Sequence, residues 1–433
     1  MQIALVFPAN FFRLDSGITV IHQYLPTTGV VVADVWLNAG AVKEPEHESG
    51  MAHFLEHMIF KGTAAIQPGQ FDREIENKGG MTNAATSHDY AHYFLTTATA
   101  YLEDTLPYLA ELLLNAAIPE DEFERERDVV LEEIRSCYDD PDWIGFQALS
   151  ESVYQLHPYG RSVLGTAKNL QQHSPDAMRC FHRQHYRPEN MTVAVVGGIE
   201  ADLALDLIDR TFAEKMTEIQ SLPHVDSPHA APANLPTKKT AELPPVLLGI
   251  RRQEIKLPNL EQARLMMAWV GPGVDNFRSA YGLDLLSVIL GGGRSSRLVR
   301  ELREDRQLVQ AISSDFSLQR ESSLFTISAL LEPQNLERVE FLIRAHLEEL
   351  QTKPICLAEL ERCKRLMCND YNFYTETPSQ IAGLYGYYST IASAQLALLY
   401  PQQIQSFQPE ELQKLAARYL LPHEYAVTLL RPC

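Results

Sequence analysis

The pentad His53-Phe54-Leu55-Glu56-His57 has the residue types and spacing to hold a metal ion and move a proton. On a helix, positions i and i+4 stack one turn apart, so both imidazoles can reach a single ion. The carboxylate one position before the second histidine lies beside that ion as a base. Met51, Phe54, Leu55 and Met58 fall on one helical face, whereas His53, Glu56 and His57 fall on the opposite one, which predicts histidines turned away from the core. The bland alternative is an exposed polar face. A catalytic zinc ordinarily has three protein ligands and one open position, so the pentad calls for a third ligand elsewhere.

A predicted helix over 121–138 offers candidates. Phe123, Val130, Ile134 and Cys137 form an apolar seam, and Glu126 and Glu133, at i and i+7, lie on or beside it. Carboxylates near an apolar seam need partners, whereas Glu122, Glu124 and Glu132 read as solvated surface. The residues alone leave open whether Glu133 meets the histidines.

These helices belong to a chain of 433 residues, long enough for two or three domains. Segment 221–245 carries six prolines and no apolar period, the profile of a linker. The same order of segments recurs on either side of it. VVVADVWLNAG (30–40) pairs with ARLMMAWVGPG (263–273), 119–141 with 355–378, and 185–198 with 418–432. The spacing is too long for a solenoid and implies two copies of one domain, 1–220 and 246–433. In the second copy Cys363 and Asp370 stand where the first has Glu126 and Glu133, and no HxxEH precedes them.

Apolar residues make up 45% and charged residues 21%, which excludes bulk disorder. A formal charge of -19 repels phosphate backbones and anionic lipid, so neither nucleic acid nor membrane is an expected partner. The start shows no secretory leader and no apolar run is long enough to span a bilayer, so a cytoplasmic location is expected, with six reduced cysteines. GGGRSSRLVRELRED (291–305) lacks the GK[ST] of a phosphate loop and reads as a turn entering a helix.

HFLEH followed by MIFKGT, GGMTNAATSHDYAHYF, FERERDVVLEEI and HPYGRSVLGT together resemble the inverted-motif zinc peptidases of the pitrilysin and insulin-degrading enzyme family. The chain length resembles its short, mitochondrial-processing-peptidase-like branch. The resemblance implies an α+β fold of two homologous domains, each a mostly antiparallel sheet packed with helices, forming half of a clamshell dimer. It implies one Zn2+ per chain, held by His53, His57 and Glu133, with Glu56 as general base and Glu126 supporting a ligand. Asn83, Ala84 and Thr86 are similar to the family's edge strand that receives an extended peptide. His88 and His92 also have i, i+4 spacing, but on one strand they would sit about 13 Å apart, too far to share an ion. Relatives carry an Arg and, seven residues on, a Tyr facing the reacting carbonyl; here these positions hold Arg303 and Gln310. The missing Tyr implies a zinc-carrying subunit that works on peptides beside a homologous partner, with a self-sufficient homodimer or a non-catalytic binding subunit as the alternatives.

Overall fold

The structure, a computed structural model, describes residues 9–221, 246–258 and 260–433. The linker expected at 221–245 lies, apart from Ser221, outside the described residues.

Two mixed sheets organise the fold. The first comprises β1 (Asn10–Arg13), β2 (Thr19–Tyr24), β3 (Val30–Leu37), β4 (Met81–Thr86), β5 (Ala91–Ala98) and β6 (Met191–Gly197), in the order β1-β2-β6-β3-β5-β4. The second comprises β7 (Ile250–Leu257), β8 (Ala263–Pro272), β9 (Ala311–Ser317), β10 (Ser322–Leu331) and β11 (Tyr425–Pro432), in the order β7-β11-β8-β10-β9. With β1 set aside, the two orders are the same permutation of chain order. Each has a single parallel pairing, β2 with β6 and β7 with β11, and all other neighbours are antiparallel. The sequence repeat is therefore a repeat of topology, and the expected α+β class with two homologous sheet-and-helix domains holds.

The central strands explain themselves. VVVADVWL of β3 is rich in β-branched valine and buried along nearly its whole length, as suits a central strand paired with β6 and β5. β4 pairs with β5 alone and is an edge strand.

The compact units do not follow chain order. One takes Met1–Val130, Val163–Leu243 and Thr377–Thr390, and the other takes Leu131–Ser162, Pro244–Glu376 and Ile391–Cys433. Relative to the halves expected at 1–220 and 246–433, the unit with the second sheet also takes the helix Pro141–Tyr154 and the unit with the first sheet also takes Pro378–Ile391. Both helices pack closely through a glycine. Gly145 of helix Pro141–Tyr154 lies against β8 and β11, where an added Cβ would come within 2.6 Å of Met266 Sδ. Gly386 of helix Pro378–Ile391 lies flat on the Trp36 indole of β3, where a Cβ would come within 2.0 Å of Nε1. Beside it, Tyr385 Oη donates to Gln23 Oε1 of β2 at 2.6 Å. Chain order cannot reveal such an exchange, since both helices carry the same apolar pattern as a helix docked on its own sheet.

Among the described residues, no helix is long and apolar enough to cross a membrane.

Candidate metal centre

The HxxEH segment forms the helix Met51–Ile59. Its start is fixed by Gly50, which adopts φ 91°, and by Glu44, whose buried carboxylate accepts from Gly50 N at 2.9 Å and Ala52 N at 2.6 Å. A carboxylate there satisfies otherwise orphaned amides and complements the helix dipole. Met51, Phe54, Leu55 and Met58 are buried, as the periodicity predicts. His53 departs from the prediction: only 8% of it is exposed. The polar face is itself covered, because β4 packs on this helix with Thr86 at Glu56, and the helix Glu120–Cys137 brings Glu126 to His57.

One ligand atom from each of His53, His57 and Glu133 lies within 4.8 Å of the others. The imidazoles meet edge to face, with centroids 4.8 Å apart. Glu133 arrives from the helix Glu120–Cys137, which also brings Glu126. His57 Nδ1 lies 2.9 Å from Glu126 Oε1, and Lys61 Nζ lies 2.6 Å from Glu126 Oε2. Burial pushes the Glu126 carboxyl up, but the hydrogen bonds from His57 and Lys61 outweigh it and hold the group below its ordinary range. An ionised Glu126 accepts a hydrogen bond from Nδ1–H and leaves Nε2 of His57 as the lone-pair donor, the arrangement that suits a metal-binding histidine. Two imidazoles and a carboxylate at this separation fit a tetrahedral zinc with one position to spare.

Glu56, between the histidines in sequence, accepts a hydrogen bond from Thr86 Oγ1 on β4 at 2.6 Å. Behind it, Tyr93 and Tyr186 share a hydrogen bond of 2.7 Å, and burial pushes both phenols well above their ordinary range. Both stay protonated near neutral pH.

The remaining predicted residues divide. Asn83 is exposed on the edge strand, and its Oδ1 accepts from the Ala84 amide at 2.9 Å. The segment carrying His88 and His92, read above as a single strand, is a hairpin: His88 lies in the turn after β4, and His92 on β5 bonds Asp34 at 3.0 Å and stacks on Trp36. The Ser-His-Asp-Tyr run after Thr86 is ordinary turn chemistry, which the apolar stretches around it masked. Arg303 lies in a π-helical turn, Val299–Asp305, where both Nε and Nη2 bond Glu304 Oε1 at 2.9 and 2.6 Å. Gln310 is exposed, with its main-chain N–H donating to Leu330 O at 2.8 Å. Cys363 is buried, and among the described residues the second half assembles no group of three metal-capable side chains.

Lys61 and Glu44 escaped the sequence reading. Lys61 is one turn beyond His57, a spacing that would have flagged it; Glu44 precedes the helix and carries no such signal.

A family profile described as "Insulinase (Peptidase family M16)" matches residues 19–167, and one described as "Peptidase M16 inactive domain" matches residues 173–367. The chain is 30% identical to the zinc protease PqqE of Helicobacter pylori, covering 97% of this chain and 92% of that one. It is 26% identical to the uncharacterized zinc protease YmxG of Bacillus subtilis, over 97% and 98% of the two chains. The crystal structure of a protease from Helicobacter pylori superimposes with a TM-score of 0.86 at 28% identity, covering 98% of this chain and 99% of that one.

Proposed function

This chain belongs to peptidase family M16, and from that premise we propose that it is a zinc endopeptidase acting on unfolded peptides. The observation that carries the reading is the convergence of His53, His57 and Glu133 from two helices, with Glu56 anchored alongside them by Thr86. Bound zinc supplies Lewis acidity for the attacking water and the scissile carbonyl. The protein's own groups do the rest. Glu56 accepts a proton from the water and returns it to the leaving amine, which requires a carboxylate held at hydrogen-bond distance. Glu126 and Lys61 orient His57. The open edge of β4 offers main-chain groups to an extended peptide, with Asn83 and Ala84 at its middle, so that binding depends little on side chains.

In this reading the chain is the zinc-carrying member of a pair of homologous subunits that enclose the peptide. Gln310 stands where relatives of the family carry the carbonyl-facing Tyr, and the Arg303 guanidinium is committed to Glu304, so the partner supplies that Arg/Tyr pair. A single missing donor of this kind costs about two to three decades in rate.

The test is hydrolysis of a quenched-fluorescent peptide mixture by the purified, zinc-loaded chain, alone and with a homologous subunit carrying the Tyr. Slow or absent turnover alone, raised by the partner and abolished by chelator, is expected. Full activity of the chain by itself overturns the paired arrangement. No turnover in either setting, despite stoichiometric zinc, overturns the peptidase reading.

A further inference from the structure

Thr86 lies on the strand expected to receive substrate, yet its side chain is already engaged. Its Oγ1 donates to Glu56 Oε2 at 2.6 Å, and Thr86 is half-buried. A threonine hydroxyl facing a carboxylate donates its only proton there, so that proton is not available to a peptide carbonyl. The strand and the zinc helix pack directly on one another, and this bond ties them at the catalytic carboxylate.

We propose that Thr86 is a positioning residue for the general base, and that it links the peptide-receiving strand to the orientation of Glu56. The inference rests on the peptidase reading given above. A glutamate has three rotatable side-chain bonds, and the helix Met51–Ile59 fixes none of them beyond the first. A hydrogen bond to one carboxylate oxygen selects a single rotamer and leaves the proton-accepting oxygen with a defined direction. The strand brings Thr86 to Glu56 and Ala84 to its open edge two residues away. A peptide adding to that edge therefore meets a base whose position is set by the same strand.

Thr86→Val preserves shape and removes the hydroxyl, whereas Thr86→Ser keeps the hydroxyl and removes the methyl. The expected result is that Thr86→Val lowers kcat at least tenfold with KM and zinc content unchanged, and that Thr86→Ser recovers most of the loss. A raised KM with unchanged kcat overturns the proposal and makes Thr86 a substrate contact. Equal loss in both variants overturns it too, since the hydroxyl is then not the effective group. A crystal structure of zinc-loaded Thr86→Val gives a readout independent of turnover: the Glu56 carboxylate is expected to leave its present rotamer, and an unmoved carboxylate counts against positioning. If the wild-type chain hydrolyses nothing with or without a partner, the peptidase reading fails, while that structure still decides whether Thr86 holds Glu56.

Discussion

Glu126 Oε1 sits 2.9 Å from His57 Nδ1, although 69 residues separate them in the chain. That contact closes a chain of hydrogen bonds from Lys61 through Glu126 to His57, and in the proposed site it would leave Nε2 of His57 to face the metal. The proposed metal centre thus draws on two helices: Met51–Ile59 carries both histidines, and Glu120–Cys137 carries Glu133, the proposed third ligand, and Glu126, the partner of His57.

Glu126→Ala is accordingly expected to weaken zinc affinity by about 10- to 100-fold, the usual cost of losing an outer partner of a ligating histidine. Competition with a chromophoric chelator measures this directly. Unaltered affinity would mean that His57 is held by its packing alone.

Glu56→Gln is expected to keep stoichiometric zinc and to lose about 10²- to 10⁴-fold in turnover, the range that general base catalysis supplies. Metal analysis together with peptide hydrolysis separates the two quantities. Wild-type turnover in this variant would remove Glu56 from the role of base.

What the sequence made legible was periodic or covalent in spacing. HxxEH fixes two imidazoles and a carboxylate on one helix, and the repeat announces two sheets of one topology because each half must bury the same apolar strands. What it concealed was tertiary. The burial of His53 depends on β4 and the helix Glu120–Cys137 closing over a face that looks solvent-directed in projection. The helices Pro141–Tyr154 and Pro378–Ile391 pack against sheets distant in sequence at Gly145 and Gly386, whose only sequence signature is the absence of a side chain. The link from Thr86 to Glu56 joins a strand to a helix through one hydroxyl, and no local pattern encodes it.

The exchanged helix offers its own test. Gly386→Val forces branched carbons into space that the Trp36 indole already fills, with even a Cβ 2.0 Å from Nε1. Neither partner can yield easily, since Trp36 lies on a buried central strand and the helix is held beside it by the bond from Tyr385 to Gln23. Overpacking of this kind costs about 1–3 kcal/mol. The expected outcome is a lowered denaturant midpoint for the unit that carries the first sheet. An unchanged midpoint would show that the helix docks without relying on the glycine.

The last prediction concerns pH. His182, on the helix Pro175–His185, is buried against Tyr186, with Nε2 2.8 Å from Leu113 O. Burial pushes its imidazole down to about 4; the Leu113 carbonyl opposes this and the charge of Arg183 adds to it. In the unfolded chain the group returns to its ordinary value near 6.5. Between those two values the unfolded chain binds a proton that the native chain refuses, so stability rises with pH across that window. The contribution is complete above 6.5, drains as pH falls towards 4, and is flat below. Its full size is about 3 kcal/mol. His173 and His185, lowered to about 4 for the same first cause, act in the same direction. His182→Gln keeps a donor for Leu113 O and removes the titration, so the variant is expected to lose less stability than the wild type on acidification. Urea midpoints of both proteins at about pH 7.5 and about pH 5 provide the check, and parallel losses in the two would place the acid sensitivity elsewhere.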